Sequence, residues 1–368
     1  MKQFKLNINT KNQKYPIIIG KDLCGNLRKL ISKNSISFNK CLFVIDNKIK
    51  KKIILKILSK FKKKERIIYL FNANEKNKNQ KNVDKILNLL LNNNFQRNDC
   101  LISVGGGITG DVSGFASSIF KRGIKFINVP TTLLAQVDSS IGGKTGINTS
   151  HGKNLIGSFY QPNLVISDAN FLKTLPKREI ICGYAEMLKH SLLIKKKNFE
   201  FLNKNALKIL NLKSPFIEKS IVESCKIKKK IVELDENEKN LRKILNFGHT
   251  FAHAYEATLN YSKRLNHGEA VLLGIISAIT FSLKIKLLSK IDYLEIKNHF
   301  IKYNLPNNIN NYFFRKDLKK LILFMKKDKK NTSNLINLIL LKKIGKIKLN
   351  LNFTDKKIHG FLKDQLMN

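Results

Sequence analysis

The chain has 368 residues, of which 43% are hydrophobic, and this is enough to form two globular domains with substantial cores. Its five cysteines are scattered and never form a C-x-x-C pair, which indicates a reduced cytoplasmic protein and excludes a disulfide scaffold. The net charge of +43 suggests nucleic-acid binding, but lysine is spread through almost every segment and no aromatic-basic RNA-binding motif occurs. We interpret this charge as a solvated coat and expect no specific nucleic-acid partner.

The first 175 residues alternate between short β-rich runs and lysine-rich helical stretches. Strands are predicted at 15–19, 41–46, 65–71, 100–104, 126–129 and 164–168, with helices at 47–61 and 82–93 among the segments between them. This alternation is typical of an α/β domain whose mostly parallel sheet is flanked by helices.

A glycine-rich loop follows the strand predicted at 100–104. Gly105, Gly107 and Gly110 satisfy G-x-G-x-x-G between a strand and the apolar helix predicted at 112–120. In that context the motif indicates a phosphate held by the N-terminus of a helix. The alternative is a tight turn that only requires positive φ angles. The acidic residue usual about 20 positions further on is not evident, which argues against a standard dinucleotide fold.

A second polar segment covers residues 130–148. Its Gly143-Lys144-Thr145 is similar to the end of an ATP-binding P-loop, but Asp138 stands where that motif needs its first glycine. We therefore exclude an ATPase. The density of hydroxyls, with an acid and an amine, indicates that this segment converges on a ligand.

After Pro176 helical periodicity dominates, and a second domain is predicted over residues 176–368, with an irregular tail that includes 335–351. Glu186, Lys189 and His190 share one helical face at i, i+3 and i+4. The apolar run 270–283 is shorter than the roughly 18 residues that span a bilayer, so we expect a buried helix and no membrane contact.

Two histidines lie one helical turn apart in the run 242–253. Arg242, Asn246, His249 and His253 follow i, i+4, i+7 and i+11, which predicts a polar stripe on one helix. A buried polar stripe requires a metal, a ligand or a network. With Glu186 and His267, His249 would complete the three-ligand set of a catalytic zinc site. Alternatively, the stripe faces solvent, and Glu186 and Glu269 are ordinary ion-pair partners.

Taken together, the motifs 105–111, 122–123, 130–148, 152–154, 183–189, 246–253 and 267–269 resemble the 3-dehydroquinate synthase family, collinearly over nearly the whole chain. The resemblance implies an N-terminal Rossmann-like NAD-binding α/β domain (residues 1–175) and a C-terminal all-α metal-binding domain (176–368). It also implies a cytoplasmic homodimer of the shikimate pathway.

The implied reaction converts 3-deoxy-D-arabino-heptulosonate 7-phosphate into 3-dehydroquinate and phosphate. It proceeds through transient oxidation by NAD, phosphate elimination, reduction, ring opening and intramolecular aldol closure. The expected cofactors are NAD and Zn²⁺ or Co²⁺, and the expected partner is a phosphorylated sugar acid.

By resemblance, Glu186, His249 and His267 bind the metal. The implied catalytic residues are His253, Lys189, Lys144, Asn246 and Arg242. The implied substrate-binding residues are Arg122, Asn154, Lys228 and Lys329, although the sequence does not separate Lys329 from Lys330. Arg122 is implied to reach the partner subunit's site. The implied NAD-binding residues are Asp46, Glu75, Lys78, Gly106, Gly107, Asp111, Thr131, Thr132, Asp138, Lys144 and Lys153.

The sequence departs from the family pattern at two places. Ala73-Asn74 replaces the usual Asp-Gly before Glu75, which puts the local turn in doubt, and Ala252 stands where glycine is common. Two other enzyme classes remain open: a sugar-phosphate cyclase with a different substrate, and a zinc-dependent polyol dehydrogenase that accumulates NADH.

Overall fold

The computed structural model describes residues 3–327 and 335–367. The chain divides into two compact units, residues 1–176 with 214–237 and residues 177–213 with 238–368. The change of unit after Pro176 lies one residue from the boundary expected from the sequence. The segment 214–237, which we had placed in the helical domain, packs instead with the first unit.

The strands of the described residues are β1 (Phe4–Asn9), β2 (Lys14–Gly20), β3 (Cys41–Asp46), β4 (Arg66–Phe71), β5 (Cys100–Gly105), β6 (Lys125–Pro130), β7 (Lys144–Thr149), β8 (Gly152–Phe159), β9 (Leu164–Asp168), β10 (Ile336–Lys343) and β11 (Lys346–Phe353). The helices are α1 (Leu27–Lys33), α2 (Lys51–Leu58), α3 (Gln80–Asn92), α4 (Gly107–Ile119), α5 (Lys177–Leu193), α6 (Lys196–Leu210), α7 (Phe216–Leu234), α8 (His249–Thr258), α9 (His267–Lys284), α10 (Lys290–Lys302), α11 (Leu318–Lys326) and α12 (Asp355–Gln365).

The first unit is built on a seven-stranded sheet in the order β1-β2-β9-β6-β5-β3-β4. All neighbouring pairs are parallel except β1 and β2. Each of the six strands predicted from the sequence is present. Because β3 and β5 are buried on both faces, they form nearly continuous apolar runs rather than alternating ones.

Helices cover both faces of this sheet. Phe43 and Ile45 of β3 pack with α1 and α2, whereas Leu42 and Val44 of the same strand pack with α3 and α4. Successive residues of a strand point to opposite faces, so one strand contributes to both cores. In the sheet, β4 lies beside β3 toward one edge, whereas β6 lies beside β5 toward the other edge. The strand order therefore reverses between β3 and β5, which creates a topological switch point there.

The segment 130–148, expected to be a ligand-binding loop, contains regular structure. Residues Ala135–Ser139 form a π-helical turn, and β7 pairs with β8 in an antiparallel hairpin. Short π-helical turns occur frequently at functional sites.

The second unit is mainly helical, as expected, but its C-terminal part is not irregular. There β10 and β11 form an antiparallel hairpin that is followed by α12. The prediction of an irregular tail at 335–351 is therefore wrong.

Among the described residues one helix, α9, is long and apolar enough to cross a membrane. However, 72% of it is buried inside the protein, as expected for a core helix.

Candidate active site

Three helices of the second unit bring together the predicted metal ligands. Glu186 lies in the middle of α5, whereas His249 and His267 are the first residues of α8 and α9. One ligand atom from each lies within 4.8 Å of the others. His249 Nε2 is 3.7 Å from Glu186 Oε1. Two imidazoles and one carboxylate form a donor set of catalytic zinc sites, which leave a coordination position for substrate.

The second nitrogen of each imidazole has its own acceptor. Nδ1 of His249 lies 3.3 Å from the carbonyl oxygen of Phe247, and Nδ1 of His267 lies 3.2 Å from Glu256 Oε2. Metal-binding histidines usually donate their other N–H to a carbonyl or carboxylate in this way, which fixes the tautomer and aims Nε2 at the metal. No motif in the sequence points to Glu256.

The Glu186 carboxylate is 1% exposed, and among the described residues its Oε1 accepts no hydrogen bond. Its Oε2 forms an ion pair with Lys189, which is also buried. Lys189 pairs with Oε2 alone, so Oε1 keeps acceptor capacity that a divalent metal ion would use, and the residues present fit such an ion.

Burial lowers the pKa of the His267 imidazole, but the Glu256 carboxylate outweighs this effect and raises the pKa to about 9. A metal ion must therefore displace a proton from His267, and metal binding should tighten as the pH rises toward that value.

The polar stripe of residues 242–253 is not a single helix. Leu241–Asn246 is a 3-10 helix, and Gly248 has a φ of +79°, so α8 begins only at His249. The predicted continuous stripe is therefore wrong, although Arg242 and His249 are both buried. Asn246 donates a hydrogen bond of 2.5 Å to Glu238, another residue that the sequence analysis missed.

His253 differs from His249 although both lie on α8. Its side chain is exposed, and its ring lies 5.4 Å from that of His249 between centroids. This position suits contact with a substrate next to the metal rather than ligation.

In the first unit the glycine loop leads directly from β5 into α4. None of Gly105, Gly106 and Gly107 has a positive φ, so the hypothesis of a turn that only requires such angles is wrong. A side chain at Gly105 would clash with Thr109 at 2.4 Å, and one at Gly107 would lie 2.9 Å from Ser139. No side chain caps the N-terminus of α4, where a phosphate group can accept backbone hydrogen bonds.

Neighbouring loops surround this glycine loop. Thr131 N donates to Gly105 O at 2.9 Å, and a side chain at Gly106 would approach Thr132 at 3.1 Å. Asp46 ends β3 at the same carboxyl edge of the sheet, beside the switch point, where dinucleotides bind in such folds. Burial raises the pKa of Asp46, and the backbone N–H of Lys48 opposes this.

Lys78 connects several predicted cofactor and substrate residues. Its buried ammonium lies 2.5 Å from Asp111 Oδ2 and 2.5 Å from Asn154 Oδ1. Burial raises the pKa of Asp111, while the ammonium of Lys78 lowers it. Glu75 lies 3.5 Å from Lys153 Nζ. Asn148, which the sequence analysis did not assign, donates to Glu75 at 2.8 Å and accepts from Asn154 N at 3.1 Å.

Lys228 of α7 and Asp138 of the π-helical turn form a second charged pair. The buried ammonium is 2.5 Å from Asp138 Oδ1 and 2.7 Å from its carbonyl oxygen. This contact is one of those that join α7 to the first unit. It also gives Lys228 a fixed position beside a predicted NAD-binding residue.

The remaining predicted residues occupy less enclosed positions. Lys144 begins β7 and is exposed. Arg122 is also exposed, in a turn before β6 where it and Lys121 have φ angles of 62° and 47°. Arg97 Nε donates to Lys121 O at 2.7 Å, which ties down this turn. Lys329 lies outside the described residues.

Comparison with known proteins agrees with this geometry. The 3-dehydroquinate synthase N-terminal family matches residues 68–182, and the 3-dehydroquinate synthase C-terminal family matches residues 183–331. A 3-dehydroquinate synthase from Pelagibacter ubique is 59% identical and covers 98% of each chain. Another, from Campylobacter concisus, is 42% identical over 93% of this chain and 94% of its own.

Solved structures share the fold. A 2-deoxy-scyllo-inosose synthase complexed with carbaglucose-6-phosphate, NAD⁺ and Co²⁺ has a TM-score of 0.87 at 25% identity, covering 98% of this chain and 100% of its own. A 2-epi-5-epi-valiolone synthase from Streptomyces hygroscopicus with bound NAD⁺ and Zn²⁺ has a TM-score of 0.84 at 21% identity, covering 97% and 98%. The motifs, the architecture and these relatives agree, and the chain belongs to the 3-dehydroquinate synthase family.

Proposed function

We propose that this chain is a carbon–oxygen lyase that converts 3-deoxy-D-arabino-heptulosonate 7-phosphate into 3-dehydroquinate and inorganic phosphate, with NAD and Zn²⁺ or Co²⁺ as cofactors. The observation that carries the proposal is the set of buried Glu186, buried His249 and half-buried His267, because its oriented imidazoles and a Glu186 Oε1 that accepts no hydrogen bond suit a divalent cation. The relatives that bind NAD⁺ with Co²⁺ or Zn²⁺ support this assignment.

When bound, the metal supplies a Lewis acid that lowers the pKa of a coordinated hydroxyl, and NAD supplies a hydride acceptor that later returns its hydride. The protein orients these groups. The carboxyl edge of β3 and β5 suits a dinucleotide, with Asp46 beside a ribose and Gly106 and Gly107 beside the pyrophosphate.

Cationic residues suit the two anionic groups of the substrate. Lys228 and Lys189 are each held in place by a carboxylate, so they present fixed positive charges. Arg242 is buried as well, and a guanidinium can bind a carboxylate or phosphate through two hydrogen bonds. Exposed His253 is the group that we assign to proton transfer.

We further propose that the chain acts as a cytoplasmic homodimer in which Arg122 contacts the phosphate bound by the partner subunit. Several large apolar side chains of α4 and β8 are exposed, namely Ile119, Leu155, Ile156 and Phe159, and Ile119 precedes Arg122 by three residues. The hydrogen bond between Ser118 and Ser158 joins α4 to β8, which carries three of these residues. Exposed apolar groups on two joined elements support the proposal of an interaction surface.

The test is phosphate release from the heptulosonate phosphate. We expect release that depends on added NAD, is abolished by EDTA and is restored by zinc or cobalt. Full activity in a metal-free preparation would contradict the proposed metal site. Release from a different phosphorylated sugar, without release from this one, would favour another sugar-phosphate cyclase.

A further inference from the structure

The face of α5 that carries Glu186 makes two further contacts with the first turn of α9. Arg178, Cys182 and Glu186 follow at i, i+4 and i+8, and therefore lie along one side of the helix. They oppose Glu269, Gly268 and His267, respectively. The predicted metal ligands are thus the last of three successive pairs between these helices.

The first pair is a bidentate ion pair between Arg178 and Glu269. Arg178 Nε lies 2.6 Å from Glu269 Oε1, and Nη2 lies 2.5 Å from Oε2. The same guanidinium donates to the carbonyl oxygens of Lys263 and Arg264, in the loop that leads into α9. One side chain therefore joins α5, the preceding loop and the first turn of α9.

Glu269 also completes the N-terminal cap of α9. Its carboxylate accepts from Asn266 N at 2.9 Å, and its own N–H donates to Asn266 Oδ1 at 2.9 Å. This capping box satisfies the start of the helix without Arg178. The guanidinium adds the connection to α5, which the cap alone does not provide.

The second pair is a close backbone approach. A side chain at Gly268 would lie 2.2 Å from Cys182 Cα, so the two helices touch at this point. With the ion pair on one side and this contact on the other, the start of α9 has little freedom to move relative to Glu186.

We propose that Arg178 is a positioning residue of the metal site, which holds the first turn of α9 against α5 so that His267 and Glu186 stay within ligating distance. The inference rests on the proposed metal site. Arg178 precedes Glu186 by eight residues, or about 12 Å along the helix, so it acts through the helices rather than by touching the metal.

The experiment measures metal binding to the metal-stripped full-length protein. Zinc affinity is determined by competition with a chromogenic chelator, and the absorption spectrum of bound Co²⁺ reports the coordination geometry. We expect Arg178→Ala to weaken zinc binding about 10- to 100-fold, the range found when groups that orient metal ligands are removed. The cobalt spectrum should change as well. Arg178→Lys keeps the positive charge but cannot form the bidentate pair with Glu269. Its zinc affinity should therefore lie between those of wild type and Arg178→Ala.

Lys284→Ala is the matched control, because Lys284 forms an ion pair with Asp364 at the opposite end of α9. Its zinc affinity should equal that of wild type. Glu269→Gln provides a second test from the other side of the pair and should weaken zinc binding as Arg178→Ala does. Urea unfolding of the metal-stripped proteins measures any general loss of stability.

Zinc affinities within twofold of wild type in both Arg178→Ala and Glu269→Gln would overturn the proposal, even if both variants were less stable. If Arg178→Ala does not fold, Arg178→Lys and Glu269→Gln decide by the same criterion. A wild-type protein that binds no zinc would contradict the proposed metal site itself, which is a different outcome from unchanged variants.

Discussion

At the scale of single residues, His249 and His253 show how neighbours on one helix acquire different roles. His249 is 8% exposed, and its Nδ1 faces the Phe247 carbonyl, so only Nε2 is available to a metal. His253 lies one turn further along and is exposed. These environments fit the proposed roles, His249 as a metal ligand and His253 as a group that contacts substrate.

This difference predicts separate effects of two matched substitutions. His249→Ala should lose bound metal, whereas His253→Ala should keep its metal and lose turnover by about 100- to 10,000-fold, the usual contribution of a proton-transfer residue. Metal content by elemental analysis and phosphate release distinguish the two variants. Equal metal loss in both would show that the two roles are wrongly assigned.

Motifs in the sequence pointed to the proposed metal ligands, which the fold brings together, but not to the residues that orient them. Glu256 contacts His267 from 11 positions earlier, and Glu238 contacts Asn246 from 8 positions earlier. Such pairs depend on how α8, α9 and the 3-10 segment fold against each other. An isolated glutamate in the sequence carries no signal of that arrangement.

At the scale of helices and strands, the starts of α8 and α9 position two of the proposed metal ligands. Both ligand histidines are first residues of a helix, and Gly268 brings the second helix into contact with α5. The six strands predicted in the first unit are present because each is a short apolar run bounded by polar residues or glycine. The β10–β11 hairpin was missed although residues 346–353 alternate polar and apolar side chains, the pattern of a half-buried strand.

A pair of glycine substitutions tests the contact between α5 and α9. In Gly268→Ala the added methyl group would overpack the contact with Cys182. The substitution should therefore lower the free energy of unfolding by about 1–3 kcal/mol and weaken zinc binding. Gly360→Ala is the control, since a side chain at Gly360 of α12 meets no atom within 4 Å. It should stabilise the protein by roughly 0.5–1 kcal/mol. Urea unfolding measures both, and a neutral effect of Gly268→Ala would mean that the helices separate easily.

His299 predicts how the stability of the second unit depends on pH. It is buried, with Nε2 3.0 Å from the Tyr184 hydroxyl and Nδ1 2.8 Å from Asn203 Oδ1, so it links α5, α6 and α10 as a neutral ring. Burial, and to a smaller extent Lys302, lowers its pKa from 6.5 to about 4. Between these values the unfolded chain binds a proton that the folded chain does not, so stability falls as the pH decreases.

From pH 7 to pH 5 this histidine should remove about 2 kcal/mol from the free energy of unfolding. Urea titrations at both pH values give the change in the free energy of unfolding for wild type and for His299→Gln. Comparing these two changes isolates the contribution of His299, because the contributions of other groups cancel. The variant should be less stable at pH 7 but lose less stability on acidification. Identical losses in the two proteins would show that His299 titrates normally.

At the scale of the whole molecule, the order of elements along the chain predicted two domains but not the assignment of α7. That helix lies between helices of the second unit in sequence, yet it packs with the first unit against β1, β2 and the π-helical turn. These contacts are long-range, so periodicity could not show them. The excess of lysine likewise gave no information about either unit.

The proposed homodimer predicts complementation between two inactive variants. Arg122→Ala and His253→Ala should each be nearly inactive, but a mixed dimer would contain one site in which both groups are present. Subunit exchange should therefore recover up to about a quarter of wild-type activity for random pairing of two subunits. Failure to recover activity after exchange has been demonstrated would show that Arg122 does not act in the partner's site.

The most direct test of the proposed reaction follows phosphate and reduced cofactor in one sample. Heptulosonate phosphate is added to the enzyme loaded with NAD and zinc, while phosphate release and absorbance at 340 nm are recorded together. Because the hydride is returned in each turnover, we predict one phosphate for each substrate consumed and no NADH beyond the amount of enzyme. Accumulation of NADH in proportion to substrate consumed, without phosphate release, would contradict this account and identify a polyol dehydrogenase.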